Sequence, residues 1–207
     1  MTTKSVNLEA ILRVERFRDP RLISATSANG YIYSANKNQT IIKVGKRATN
    51  SNREKLKREY TVGKYLSNRL NFVPKVHKYF VSEEGIPMFS MNMVQGETLQ
   101  DFLQRSHRKD IIEYVYQTLL RYILILKSLG ITHGDLHPGN IIIDKNFKIT
   151  LIDFGRARSV NNVIRGTRHH PWKICTGKTC NFWYNNYGSM NNRKAVNSIF
   201  NRIRSPS

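Results

Sequence analysis

ITHGDLHPGNIIIDKNFKITLIDFGRAR, residues 131–158, decides the reading of this chain. Two apolar runs, Ile141-Ile142-Ile143 and Ile149-Thr150-Leu151-Ile152, flank the turn residues Asp144-Lys145-Asn146, and this pattern predicts a short β-hairpin. Asp135 and Asn140 precede its first strand and Asp153 follows its second, so both loops emerge at one end of the hairpin. Two carboxylates and an amide converging there make a hard oxygen site. Such a site suits Mg²⁺, which keeps waters and substrate phosphates around it rather than a full protein cage.

His133-Gly134-Asp135 with Asn140, followed by Asp153-Phe154-Gly155, resembles the catalytic and metal loops of the protein-kinase-like superfamily. The resemblance implies Asp135 as catalytic base, Asn140 and Asp153 as metal holders, and ATP with Mg²⁺ as the phosphoryl source. Gly134 departs from the arginine of the common pattern. The His-Gly-Asp form is similar to atypical members: RIO-type kinases, the small kinase of the KEOPS complex, and aminoglycoside and choline phosphotransferases; a small viral kinase fits the same description. His137 stands where protein kinases carry a lysine near the γ-phosphate, so a slow enzyme is expected. Without an arginine at 134 the usual clamp on a phosphorylated activation loop is missing, which implies constitutive or partner-gated activity.

Upstream, Leu22-Ile23-Ser24, residues 30–34 and residues 40–44 read as strands. Thr40-Ile41-Ile42-Lys43 resembles the Val-Ala-Ile-Lys of the third kinase strand, which implies that Lys43 pairs the α/β-phosphates. Lys46, three residues on and on the opposite face, is the competitor. Residues 51–68 read as a helix with Leu56, Tyr60, Val62, Gly63 and Leu66 on its apolar face, and its Glu59 is the expected partner of Lys43, with Glu54 as runner-up. In the place of a glycine-rich loop only Gly30 matches, with Ile32 after it. Strands over 75–81 and 87–94 lead to a hinge-like stretch. There Met91 takes the gatekeeper position, and backbone groups of Asn92 and Val94 meet the adenine edge. By the same resemblance ATP lies between two lobes, its adenine against Ile32, Ile41 and Ile142.

The remaining helices are expected at 7–18, capped by Asn7 and ended by Pro20, at 100–104, and at 110–129, capped by Gly130. In the last of these apolar residues run round most of the circumference, as in the central helix of a helical lobe. The expected fold is α+β and two-lobed. Residues 1–94 form a β-rich N-terminal lobe of a helix, a five-stranded sheet and a second helix, and residues 95–207 form a shortened helical C-terminal lobe with a basic tail. After Arg158 the resemblance fades, and residues 193–204 carry an amphipathic helix pattern. Gly177-Lys178-Thr179 is no phosphate-binding P-loop, because Trp172 stands where its first glycine belongs. His169, His170, Cys175 and Cys180 fit no standard zinc spacing.

Lys and Arg number 34 against 14 Asp and Glu, a net charge of +20. That balance favours an acidic protein substrate, or a polyanion or nucleic-acid-associated partner. Two cysteines imply no disulfide framework, and neither a membrane span nor a signal-peptide core is evident, so a cytoplasmic or nuclear setting is expected. Three function classes follow: an atypical serine/threonine protein kinase, the preferred reading; a small-molecule phosphotransferase of the aminoglycoside or choline type; and a pseudokinase-like binding module. Retention of the catalytic carboxylates argues against the third.

Overall fold

The computed structural model describes residues 7–27, 30–105 and 107–159. The residues after 159, with their histidines, cysteines and amphipathic pattern, lie outside it, as does the turn at 28–29. The described residues fall into two units. One holds the residues up to Lys64 together with Pro74–Met93, and the other holds Tyr65–Val73 and the residues from Val94 on.

The first unit is a five-stranded antiparallel sheet with a helix on each face. The strands are β1 (Arg21–Ser27), β2 (Gly30–Ala35), β3 (Thr40–Gly45), β4 (Val76–Val81) and β5 (Pro87–Asn92), in the order β1-β2-β3-β5-β4. Strand alternation sends Tyr33, Ile42, Val44 and Met88 to one face, where they pack with Phe80, Ile86 and the helix α1 (Leu8–Val14). A seven-residue helix has little stability alone. Burial of Ile11 and Leu12, worth about 1.5–3 kcal/mol per side chain, holds it on the sheet. Asn7 caps it as expected, its side chain accepting the Ala10 N–H.

The helix ends well short of Pro20. Arg16 turns left-handed with φ 67°, its N–H goes to the Arg13 carbonyl, and the Phe17 N–H goes to Leu12. This is a Schellman closure with arginine where glycine is usual, and Phe17 stacking on Phe80 supplies its apolar contact. The other face of the sheet receives α2 (Asn50–Ser67) through Leu56, Phe89 and Val76, with Tyr60, Tyr79 and Met91 beside them. A Cβ on Gly63 would sit 3.0 Å from Val76, so glycine there lets α2 lie close to β4.

The second unit is built on the short helix α3 (Leu99–Phe102) and the long helix α4 (Lys109–Ser128). With them go a three-stranded sheet of β6 (Glu97–Thr98), β8 (Ile141–Ile143) and β9 (Ile149–Leu151), and a two-stranded pairing of β7 (Ile131–Thr132) with β10 (Arg158–Ser159). Tyr65–Val73 group with this unit rather than with the first ninety-four residues, because Phe72 stacks on Tyr122 of α4 at 3.8 Å and its carbonyl accepts the Leu151 N–H. Gly130, at φ 67°, closes α4 through Lys127 as expected. Of the apolar residues that run round most of α4, Val115, Leu119, Ile123 and Leu126 are buried, whereas Tyr114 and Leu124 are exposed. The fold class is α+β. Among the described residues no helix is long and apolar enough to cross a membrane.

Candidate active site

In the first unit the site begins with register. Ile32 faces Lys43 across β2 and β3, and Ile41 faces Met91 and Lys43 faces Phe89 across β3 and β5. Directly opposed residues share a face. Ile32, Ile41, Lys43 and Met91 therefore stand together on the α2 side of the sheet, all of them partly exposed. Lys43 is ion-paired there with Glu59, whose side chain is 6% exposed. Lys46 lies beyond the end of β3 in solvent, and Glu54 is also exposed. Of the two lysines and two glutamates considered, the structure brings Lys43 and Glu59 together.

Gly30 has a local reason to be glycine: a Cβ would fall 1.9 Å from the Val44 carbonyl oxygen. Close approach of β2 to β3 accounts for it without a ligand. The Asn92 N–H is taken by the Lys75 carbonyl and its Oδ1 by His77, so of its backbone groups the carbonyl is the one that can serve a ligand. The Met93 N–H goes to Gln39, and Val94 falls in the second unit.

In the second unit β8 and β9 form the expected hairpin, with Ile141 opposite Leu151 and Ile143 opposite Ile149. Asp144 Oδ1 accepts the N–H groups of Asn146 and Lys148, which fixes the turn. Ile142 alternates to the less buried side. The two loops are tied at the open end of this hairpin. The Asn140 side-chain amide donates to the Asp135 carbonyl at 2.9 Å, and the Asn140 carbonyl accepts the Ile152 N–H at 3.0 Å. Asp153 sits in the left-handed region at φ 63°, ψ 70°, with its Oδ1 accepting the Gly155 N–H. A non-glycine residue held there is strained, and such strain gathers at functional sites.

Asn140 is thus hydrogen-bonded both to the Asp135 carbonyl and to Ile152, the residue before Asp153. Because Asn140 donates its NH₂ to the Asp135 carbonyl, its amide oxygen remains an acceptor. Among the described residues no three His, Cys, Asp or Glu gather into a metal cluster. One carboxylate and one amide oxygen nonetheless fit Mg²⁺, whose remaining positions go to water and phosphate.

His133 joins the two loops from beneath. It is buried, its Nε2–H donates to the Ile152 carbonyl at 2.9 Å, and its ring lies against Phe154. Burial lowers its pKa from 6.5 to about 4, against the opposing pull of Asp153 and Asp135. Since the folded value lies below the ordinary one, the unfolded chain takes up the proton first. Stability is therefore complete above 6.5 and falls as the pH drops toward 4, by about 3 kcal/mol in all. Urea midpoints measured from pH 7 to pH 4.5 are expected to show this slope in the wild type and a flatter one in His133→Asn. Parallel slopes would assign the acid sensitivity elsewhere.

One contact was not legible beforehand. The Arg156 Nη1 donates to Asp135 Oδ1 at 3.4 Å. Arg156 is otherwise one more basic residue after the metal loop, and its only signal in the sequence is that Gly134 and His137 depart from the common pattern a few residues away.

A protein kinase domain family model matches residues 27–176, more than half of the chain. The chain belongs to the protein kinase domain family. Mitogen-activated protein kinase HOG1 of Candida glabrata is 36% identical over 81 residues, covering 39% of this kinase-family chain and 16% of that protein. Mitogen-activated protein kinase kinase 10 of Arabidopsis thaliana is 29% identical over 92 residues, covering 44% of this chain and 30% of that one. The HOG1 kinase of Scheffersomyces stipitis is 36% identical over 72 residues, 34% of this chain and 19% of its own. The kinase domain described above spans less than a third of the length of these curated relatives.

Proposed function

We propose that this chain is an atypical serine/threonine protein kinase of the small type that the RIO and KEOPS kinases represent, using ATP and Mg²⁺. The observation that carries the reading is the hydrogen bonding of Asn140 to the Asp135 carbonyl and to Ile152, which ties the loops of Asp135 and Asp153 at one end of the β8–β9 hairpin. Asn140 and Asp153 would hold Mg²⁺, which when bound neutralises charge on the phosphate oxygens. Lys43, kept extended by Glu59, grips the ATP phosphates. Ile32, Ile41, Met91 and Ile142 contribute apolar contact to the adenine, and the Asn92 carbonyl and Val94 contribute its polar edge. Asp135 orients the acceptor hydroxyl and receives its proton. The acceptor oxygen bonds to the γ-phosphorus as the bond to the nucleoside diphosphate breaks, and the electron pair leaves on that diphosphate.

The net charge of +20 supports an acidic protein as acceptor. Positive charge raises the encounter rate of an anionic partner, and salt weakens the effect once the Debye length falls to about 8 Å. With labelled ATP and Mg²⁺, acidic proteins are expected to be phosphorylated better than basic ones, with the preference shrinking as salt is added. Aminoglycosides, being cationic, are expected to be poor acceptors. A preference for aminoglycosides over acidic protein at every ionic strength would overturn the protein-kinase reading. We propose the cytoplasm or nucleus as its setting, a reading that the low cysteine count supports.

A further inference from the structure

The catalytic loop departs from the common kinase pattern at Gly134 and His137, and the first of these lies against Arg156. Gly134 has φ 79°, and a Cβ on it would fall 2.1 Å from the Arg156 carbonyl oxygen and 2.7 Å from its carbon. Any side chain at 134 would drive the Arg156 backbone off the catalytic loop. Glycine is thus the residue that lets Arg156 lie close enough to put its guanidinium on Asp135. The backbone of Arg156 is held there from both sides. It ends the 3₁₀ turn Phe154–Arg156, closed by the Ala157 N–H on the Phe154 carbonyl, and two residues on Arg158 pairs with Thr132.

His137 takes the place of the lysine of the common pattern, and its Nδ1 accepts the Gly139 N–H at 3.1 Å, so that nitrogen is spent on the loop's own backbone. A phosphoryl group arriving beside the Asp135 carboxylate meets a second anion, and the two repel unless a cation lies between them. A guanidinium can satisfy both, because its planar fork offers several donors in fixed directions. At 44% exposure the Arg156 side chain is open to a ligand as well as to Asp135. An ion pair this exposed contributes little to stability.

We propose that Arg156 is the phosphoryl-facing cation of this active site: held on Asp135, it receives the γ-phosphoryl group of ATP in place of the lysine that the common pattern carries at 137. The inference rests on the kinase reading above and adds a catalytic residue to it. As the γ-phosphorus passes from the diphosphate oxygen to the acceptor oxygen, Arg156 balances the negative charge on the phosphoryl oxygens. Asp135 takes the hydroxyl proton.

The test is calorimetric titration of the full chain with the Mg²⁺ complexes of ADP and of the non-hydrolysable β,γ-imido analogue of ATP. Arg156→Gln keeps side-chain size and hydrogen bonding and removes the charge. It is expected to bind the ATP analogue about tenfold more weakly, equivalent to 1.4 kcal/mol, while ADP affinity stays within about twofold. Arg156→Lys is expected to restore part of the loss, since it returns the charge without the fork. If Arg156→Gln keeps the wild-type ratio of the two affinities, the inference is overturned and the kinase reading stands. If it binds the analogue more tightly or turns over faster, Arg156 is a latch on Asp135 and the inference is likewise overturned. If the wild type binds neither nucleotide with Mg²⁺, the kinase reading itself falls.

Discussion

Lys43→Met is expected to lower phosphoryl transfer by about 10²–10³-fold, the usual cost of deleting one preorganised electrostatic contact. Lys46→Met is expected to leave it within about twofold, as for an exposed substitution away from the chemistry. The two lysines are three residues apart, yet only Lys43 shares a face with Ile32, Ile41 and Met91, and it is the one paired with Glu59. Methionine keeps the length and apolar stem of lysine and removes the charge. It also leaves the Glu59 carboxylate buried without its partner, which on its own destabilises by about 3–5 kcal/mol. Activity must therefore be measured beside a melting curve, and Lys43→Met/Glu59→Gln separates the two effects. The double variant is expected to regain stability and stay inactive. Equal losses from Lys43→Met and Lys46→Met would place the phosphate contact outside β3.

Asp153→Asn is expected to abolish Mg²⁺-dependent nucleotide binding while the fold persists. Asparagine retains the Oδ1 that accepts the Gly155 N–H and tolerates the left-handed backbone at 153. The turn is thus conserved and only the charge is lost. A saturating Mg·ATP complex is expected to stabilise the wild type by about 2.7 kcal/mol at a hundredfold excess over Kd, seen as a rise in Tm. For Asp153→Asn the rise is expected to vanish, with the Tm of the free protein nearly unchanged. A rise equal to that of the wild type would show that Asp153 is not the metal ligand.

The parts of the site carried by local pattern were readable in advance. The hairpin was, because two apolar triplets flank a turn whose aspartate bonds its own backbone. The Lys43–Glu59 pairing was, because Thr40-Ile41-Ile42-Lys43 resembles the third kinase strand and that resemblance implies a glutamate partner from the next helix. What escaped depended on longer-range contact. The end of α1 at Arg16 could not be seen, since the left-handed residue is not a glycine and the motif is held by Phe17 on Phe80. The grouping of Tyr65–Val73 with the second unit turns on one aromatic stack, Phe72 on Tyr122, fifty residues apart in the chain. Apolar residues run round most of α4, and Leu124 at 63% exposure shows that composition alone does not assign a face. Arg156 on Asp135 needed coordinates, because it depends on the packing of a carbonyl against Gly134.

The two-residue pairing of β7 with β10 has a consequence for where this chain can be opened. Ile131 lies opposite Ser159 and Thr132 opposite Arg158, so the stretch that carries both loops is closed at its neck. The β8–β9 ladder closes it again nearer the tip, where Lys145 and Asn146 are exposed. Cleavage or peptide insertion between those two tip residues would therefore leave each loop anchored on both sides, through strands that stay paired. The added loop-closure entropy grows only slowly with the length inserted. The tip is thus the place to split this domain into complementing fragments or to graft a reporter without moving Asp135 away from Asp153.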